Sequence, residues 1–315
     1  MDKLYQNLCG RVKDMKMLCV DGGGIRGIIP IVVIKQVEEE LEQPIGRYFD
    51  LVAGTSTGSV ISASIALEHP MKDVLKYYQR YAKKIFKRQA RVGLMKSVYK
   101  DVELRELLQE VFGEITVSDV EKPLLIPAVD LTHGNPYIHR SREVEGKLDS
   151  IKLWDAVLSS CSAPVYFPPN NVGSQYLSVD GGLWANNPSL VCITEALHYF
   201  NQSLNNIRII SFGTGKQDIK FSHNHGKYWG LRQWMPLKFP SITAKPKLLD
   251  LALHLSSESV SYHSRLLLQK NYLRINKELT DEISFDEIER IDEMIDIGKQ
   301  IYKDHRKEII NFITS

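Results

Sequence analysis

Residues 48–67, YFDLVAGTSTGSVISASIAL, decide how the rest of the chain is read. The first six, Tyr48–Ala53, are mostly aromatic or aliphatic, the composition of a short strand. The last nine, Ser59–Leu67, are small or apolar and contain no breaker, which suits a buried helix. Between them stands Gly54-Thr55-Ser56-Thr57-Gly58, a G-x-S-x-G sequence with a strand before it and a helix after it, the context in which that pattern acquires a mechanical meaning. A turn that sharp holds the serine in a strained backbone region and lifts its hydroxyl clear of the chain, with glycines where a Cβ would crowd. Ser56 is therefore the candidate nucleophile, with a plain Gly/Ser loop as the alternative if the stretch stood alone.

A similar unit precedes it. The apolar run MKMLCV (15–20) ends at Asp21-Gly22-Gly23-Gly24-Ile25-Arg26-Gly27, and Ile28 to Leu41 reads as a helix. Two strand, loop, helix units in succession predict an α/β protein with a mainly parallel sheet between helical layers. Further strands are expected at 124–129, 176–179 and 207–212, and helices around 103–112, 153–161 and 189–200. From about 246 the pattern is helical, with Leu248, Leu249, Ala252 and Leu255 on one face and Phe285, Ile288, Ile291 and Ile295 on another. Residues 216–245 have no clear period and read as a long irregular loop. The expectation is a single domain over 1–315, with its core at 15–215 and C-terminal helices at 246–315.

The glycine loop admits two readings. Without Cβ atoms its backbone N–H groups approach an anion closely, and the start of the following helix adds partial positive charge, so Gly22, Gly23 and Gly24 are candidates for an oxyanion hole. Gly22, Gly24 and Gly27 also fit the dinucleotide pattern G-x-G-x-x-G. That fold needs an acidic residue at the end of the second strand, however, where this chain has Ala53-Gly54-Thr55-Ser56. Asp180-Gly181-Gly182 directly follows the strand expected at 176–179. Its carboxylate is thus placed at a strand's carboxyl end, the edge where open α/β sheets bind ligands. An Asp before two glycines is otherwise a common turn.

With 43% hydrophobic and 25% charged residues the composition is that of a globular protein, and a net charge of +2 argues against a nucleic acid polymer as partner. Cys9, Cys19, Cys161 and Cys192 are dispersed, with no metal-ligand spacing, so reduced thiols, no metal and no cofactor are expected. The N-terminus lacks an apolar leader and no run approaches membrane-spanning length, which predicts a cytoplasmic protein that meets any lipid from the aqueous side.

In this order DGGGIRG, GTSTG and DGG resemble the three motifs of patatin-like phospholipases, and SAPVYFPP (162–169), WANNP (184–188) and SFGTG (211–215) resemble further stretches of that family. The likeness covers about residues 15–215. It implies a three-layer α/β/α core and metal-free hydrolysis of acyl esters in phospholipids or lysophospholipids. It also implies a Ser56–Asp180 dyad with an oxyanion hole at Gly22 to Gly24. Arg26, Gly27, Gly54, Gly58, Gly181 and Gly182 complete the motifs. In a dyad the aspartate accepts the serine proton and returns it to the leaving alcohol. The competing use of a serine elbow is a Ser–Asp–His triad, for which His198, His223 and His225 follow Asp180.

Two patches bear on partners. Lys83, Lys84, Lys87, Arg88, Arg91, Lys96 and Lys100 form an acid-free run suited either to anionic headgroups in peripheral membrane contact or to a solvated face. Trp229, Leu231, Trp234, Met235, Leu237 and Phe239 enrich the 216–245 loop in residues suited to a lipid interface. The acidic run from Asp281 to Asp296 reads as the wet face of an amphipathic helix. Residues 84–86 and 103–113 resemble bacterial patatin-like effectors of antiphage defence, which implies a cyclic dinucleotide as a further partner.

Overall fold

The computed structural model describes residues 14–90, 95–147, 149–217, 234, 237–238, 243–244 and 247–315. Eight strands form the main sheet in the order β10-β7-β1-β2-β3-β6-β5, with β4 also paired to β3. They are β1 (Met15–Val20), β2 (Leu51–Gly54), β3 (Leu124–Asp130), β4 (Asn135–Arg140), β5 (Asn170–Val172), β6 (Tyr176–Asp180), β7 (Ile207–Phe212) and β10 (Tyr272–Ile275). A separate two-stranded ribbon joins β8 (Leu237–Lys238) to β9 (Thr243–Ala244). The half of the sheet from β10 to β3 is parallel, while β4, β5 and β6 pair antiparallel.

Side chains alternate across a strand, so β1 feeds two cores at once. Leu18 and Val20 pack into the larger one with α1 (Ile28–Leu41), α2 (Thr57–Ala66), α3 (Met71–Ile85), α4 (Val102–Phe112), α5 (Leu153–Cys161) and the C-terminal α9 (Ile291–Thr314). Met15, Met17 and Cys19 pack on the other face with α6 (Gly182–Ala185) and α7 (Ser189–Tyr199), where Leu268 at the end of α8 (Lys247–Leu268) also lies. Burial on both faces explains why β1, apart from Lys16 near its start, is apolar rather than alternating. The result is the expected three-layer α/β/α arrangement.

Two features depart from the sequence reading. The C-terminal portion is not wholly helical: YLRI at 272–275 forms β10 and adds an edge to the main sheet beside β7. The stretch that carries Phe285 and Ile288 is a turn and a single 3-10 turn, and the helix begins only at Ile291. Apolar residues three apart occur in both settings, and periodicity over so short a window does not separate them. Of the 216–245 loop, all but Lys216, Gln217, Trp234, β8 and β9 lies outside the described residues.

Candidate active site

The serine turn is built by packing and by two hydroxyls. Ser56 sits at φ 54°, ψ −127°, the strained conformation expected of an elbow between β2 and α2. Its N–H donates to Ser160 Oγ at 2.9 Å, and Ser160 Oγ in turn donates to the Pro127 carbonyl at 2.6 Å. Thr55 Oγ1 anchors the preceding residue to the Ala185 carbonyl at 2.6 Å. A Cβ at Gly58 would collide with the Val20 carbonyl, so only glycine lets α2 start against β1. Ser56 is partly exposed and lines the main cleft.

Asp180 reaches the same place from the opposite direction. β2 and β6 lie on one edge of β3, because β4 occupies the other edge along 125–130. β2 runs parallel to β3 and β6 antiparallel, so their carboxyl ends meet head to head, one ending at Ser56 and the other at Asp180. Buried to 3% exposure, the Asp180 carboxylate accepts the Gly182 N–H at 2.7 Å, and the Ser56 hydroxyl near it stabilises its charge. Burial pushes its pKa up to about 6, against the lowering effect of the Ser56 hydroxyl and the Gly182 N–H. It is therefore ionised at neutral pH, yet basic enough to take a proton.

The glycine loop hangs from several anchors that the sequence reading did not find. Asp21 forms a buried double contact with Arg274 on β10, at 2.7 and 2.5 Å, and accepts Ser257 Oγ of α8 at 2.6 Å. Thr214 Oγ1 donates to the Gly22 carbonyl at 2.9 Å, and the Ile25 N–H donates to the Phe285 carbonyl at 2.8 Å. The Gly22 N–H is itself committed to the Asn186 carbonyl at 3.0 Å. That reduces the expected three donors: of the three glycine N–H groups, only those of Gly23 and Gly24 have no acceptor among the described residues. Arg274 had one sequence signal, a lone charge inside a short apolar run. The anchoring roles of Ser257, Thr214 and Phe285 had none.

Arg26 lines the cleft, and burial holds its guanidinium below its usual pKa against the opposing charges of Asp250, Glu282 and Asp21. Among the described residues its Nη1 contacts the Gly215 carbonyl at 3.4 Å. Around Ser56 the cleft has an empty volume of ≈ 1230 Å³, open to solvent. Half-exposed Lys216 and Glu258 stand toward the outside with Asp250 and His254, while buried Ala82, Ile85, Leu104, Leu107 and Phe167 line the inside.

Of the histidines named from sequence, His198 is exposed and packs on the Tyr199 ring outside this cleft, and His223 and His225 lie outside the described residues. His254 does line the cleft, with a pKa lowered by burial. In the basic run, Arg88 pairs with Asp286 at 2.7 Å and Lys84 stands over the Tyr81 ring, while Lys83, Lys87, Lys96 and Lys100 are exposed; Arg91 lies outside the described residues. Among the described residues there is no cluster able to hold a metal ion, and no helix long and apolar enough to cross a membrane.

The family model described as patatin-like phospholipase matches residues 18–193, more than half the chain and all three motifs. The chain belongs to the patatin-like phospholipase family. Patatin-like protein 1 of Arabidopsis thaliana is 29% identical over 318 residues, covering 85% of this chain and 75% of that protein. A cGAMP-activated phospholipase of Escherichia coli (strain TW11681) is 31% identical over 230 residues, covering 66% of this chain and 64% of its own length. An intracellular phospholipase A2 of Caenorhabditis elegans is 32% identical over 68% of this chain, which spans 21% of that much longer relative. At the level of the patatin-like family the protein is a lipid acyl hydrolase of the serine type, with phospholipid as the implied substrate.

Proposed function

We propose that this patatin-like protein cleaves the acyl ester bonds of phospholipids or lysophospholipids through a Ser56–Asp180 dyad. The observation that carries the reading is a strained Ser56 whose hydroxyl stabilises the charge of the buried Asp180 carboxylate, both lining a cleft with an apolar interior. As an ester carbonyl enters, Asp180 takes the Ser56 proton and Ser56 Oγ attacks. The Gly23 and Gly24 N–H groups face the negative charge that develops on the carbonyl oxygen, each donor being worth about 3 kcal/mol when pre-aimed. Protonated Asp180 then returns the proton to the leaving alcohol, and water repeats the sequence on the acyl-enzyme. The acyl chain fits among Ala82, Ile85, Leu104, Leu107 and Phe167. Lipid analysis of mixed phospholipids incubated with wild type and Ser56→Ala tests the reading. Free fatty acid is expected from wild type alone, and release by the alanine variant would end it. A Ser–Asp–His mechanism requires that a His254→Ala, His223→Ala or His225→Ala variant lose the activity on a soluble ester.

A cyclic dinucleotide is a second element of the proposal, supported by similarity to a relative named a cGAMP-activated phospholipase. Its test is the rate of fatty acid release with and without added cGAMP, and a rate independent of the nucleotide refutes it.

A further inference from the structure

Consecutive residues at the end of α5 reach both Ser56 and Asp180. The buried Ser160 Oγ accepts the Ser56 N–H at 2.9 Å and donates to the Pro127 carbonyl of β3 at 2.6 Å. Cys161 Sγ lies 3.8 Å from Ser59 Oγ, which itself donates to the Ser56 carbonyl at 2.6 Å. The Ser162 carbonyl accepts the Asp180 N–H at 3.0 Å. One short segment therefore grips the backbone of the nucleophile on one side and the backbone of the base on the other. The segment is fixed in turn, because Ser162 Oγ donates to the Leu158 carbonyl at 2.9 Å. Its link to β3 is aimed at the same place, since Pro127 precedes Ala128, the residue that stands opposite Asp180 in the β3–β6 pairing.

We propose that Ser160 is a positioning residue for hydrolysis: its hydroxyl ties the Ser56 backbone to β3 and so sets the distance between the Ser56 hydroxyl and the Asp180 carboxylate. This rests on those two groups being the reacting pair. A serine at φ 54°, ψ −127° keeps that backbone only where its surroundings over-determine it. The Asp180 side is held through the main chain, by the Ser162 carbonyl and by pairing with β3, and no single side chain can release it. The Ser56 side depends on one hydroxyl, which alone among small side chains accepts the N–H and donates to the carbonyl beyond it at once. Alanine does neither. It leaves the Ser56 N–H without its acceptor, and the strained peptide is then free to turn and carry the Ser56 hydroxyl away from Asp180.

Steady-state kinetics of the full chain on a soluble ester, across pH, is the test. In Ser160→Ala kcat should fall about 10²-fold, the scale of an ångström's misplacement, while KM holds. Because the Ser56 hydroxyl helps keep Asp180 ionised, its displacement should also move the kcat/KM midpoint upward from about 6. Cys161 faces Asp180 as well, but burial raises its thiol and keeps it neutral through that range. The control is Ser159→Ala, equally buried in the same helix, whose hydroxyl meets His139 at 3.1 Å and the Ala156 carbonyl at 2.8 Å instead of Ser56. It should keep the wild-type kcat and midpoint even where it melts lower. Ser160→Cys, close in shape but a weak donor and acceptor, should fall between wild type and alanine, and it carries the test if the alanine variant does not fold. A near-normal kcat in the folded Ser160 variant overturns the proposal. So does an equal loss in Ser159→Ala, which would make the effect one of helix stability, or a fall in kcat with the midpoint unmoved. Ser56→Ala keeps the two readings apart: it is inactive if the dyad holds, whatever Ser160 does, and activity in it overturns the dyad and this proposal together.

Discussion

Replacing Asp180 by Asn separates the cost of burying this carboxylate from its use. Inside the protein its pKa is about 6 instead of 3.8, a difference worth about 3 kcal/mol. The folded pKa lies above the unfolded one. The native state is therefore unpenalised below pH 3.8, loses stability as the pH rises through about 6, and carries the full cost above that. An asparagine resembles the protonated carboxyl: it is neutral, nearly the same shape, and keeps an oxygen for the Gly182 N–H. Asp180→Asn should thus be more stable than wild type at pH 8 by up to about 3 kcal/mol, a melting temperature roughly 5 °C higher in a chain of this size. At pH 4 the two proteins should melt together, because other pH effects are common to both. Hydrolysis of a soluble ester should collapse, since an amide accepts no proton. Scanning fluorimetry across that pH range is the assay. Equal melting at pH 8, or a gain of the same size at pH 4, would show that the carboxylate is not buried at a cost and would refute the reasoning.

The same carboxylate predicts that kcat/KM on a soluble ester rises with pH to a plateau with its midpoint near 6, and a profile flat from pH 5 to 8 would remove Asp180 as the base. A Cβ at Gly23 would collide with Thr214 Oγ1, so Gly23→Ala should shift the free N–H groups and lower kcat by about 10²-fold or more. Steady-state kinetics reads this, and a near-normal kcat would take the loop out of the chemistry. Arg274→Met leaves the buried Asp21 charge with Ser257 as its remaining side-chain hydrogen-bond donor among the described residues, so the fold should lose about 3–5 kcal/mol in a denaturant titration. Part of that loss should return in Asp21→Asn/Arg274→Met, and a loss under about 1 kcal/mol would mean the pair is dispensable.

Legible in the sequence were the features written in consecutive residues. Strand, G-x-S-x-G and helix declare the Ser56 elbow because a sharp turn with a functional side chain needs glycines at fixed offsets. The runs MKMLCV and IRIISF declare buried strands because, beyond Lys16 and Arg208 near their starts, burial on both faces leaves little polar alternation. The motif order placed Ser56, Asp180 and the glycine loop as candidates for one site, and the three do line one cleft. Only the tertiary structure decided how they meet. The edge of β3 that β6 joins and its antiparallel direction there rest on a pairing between residues some fifty positions apart in sequence, and together they turn two strand ends toward each other. Likewise the commitment of the Gly22 N–H to Asn186, and the suspension of Asp21 from Arg274 and Ser257, are contacts over 164, 253 and 236 residues. Local pattern cannot report such contacts, because the energy of a buried charge or a filled hydrogen bond is fixed by what lies across the fold and not by what lies next along the chain.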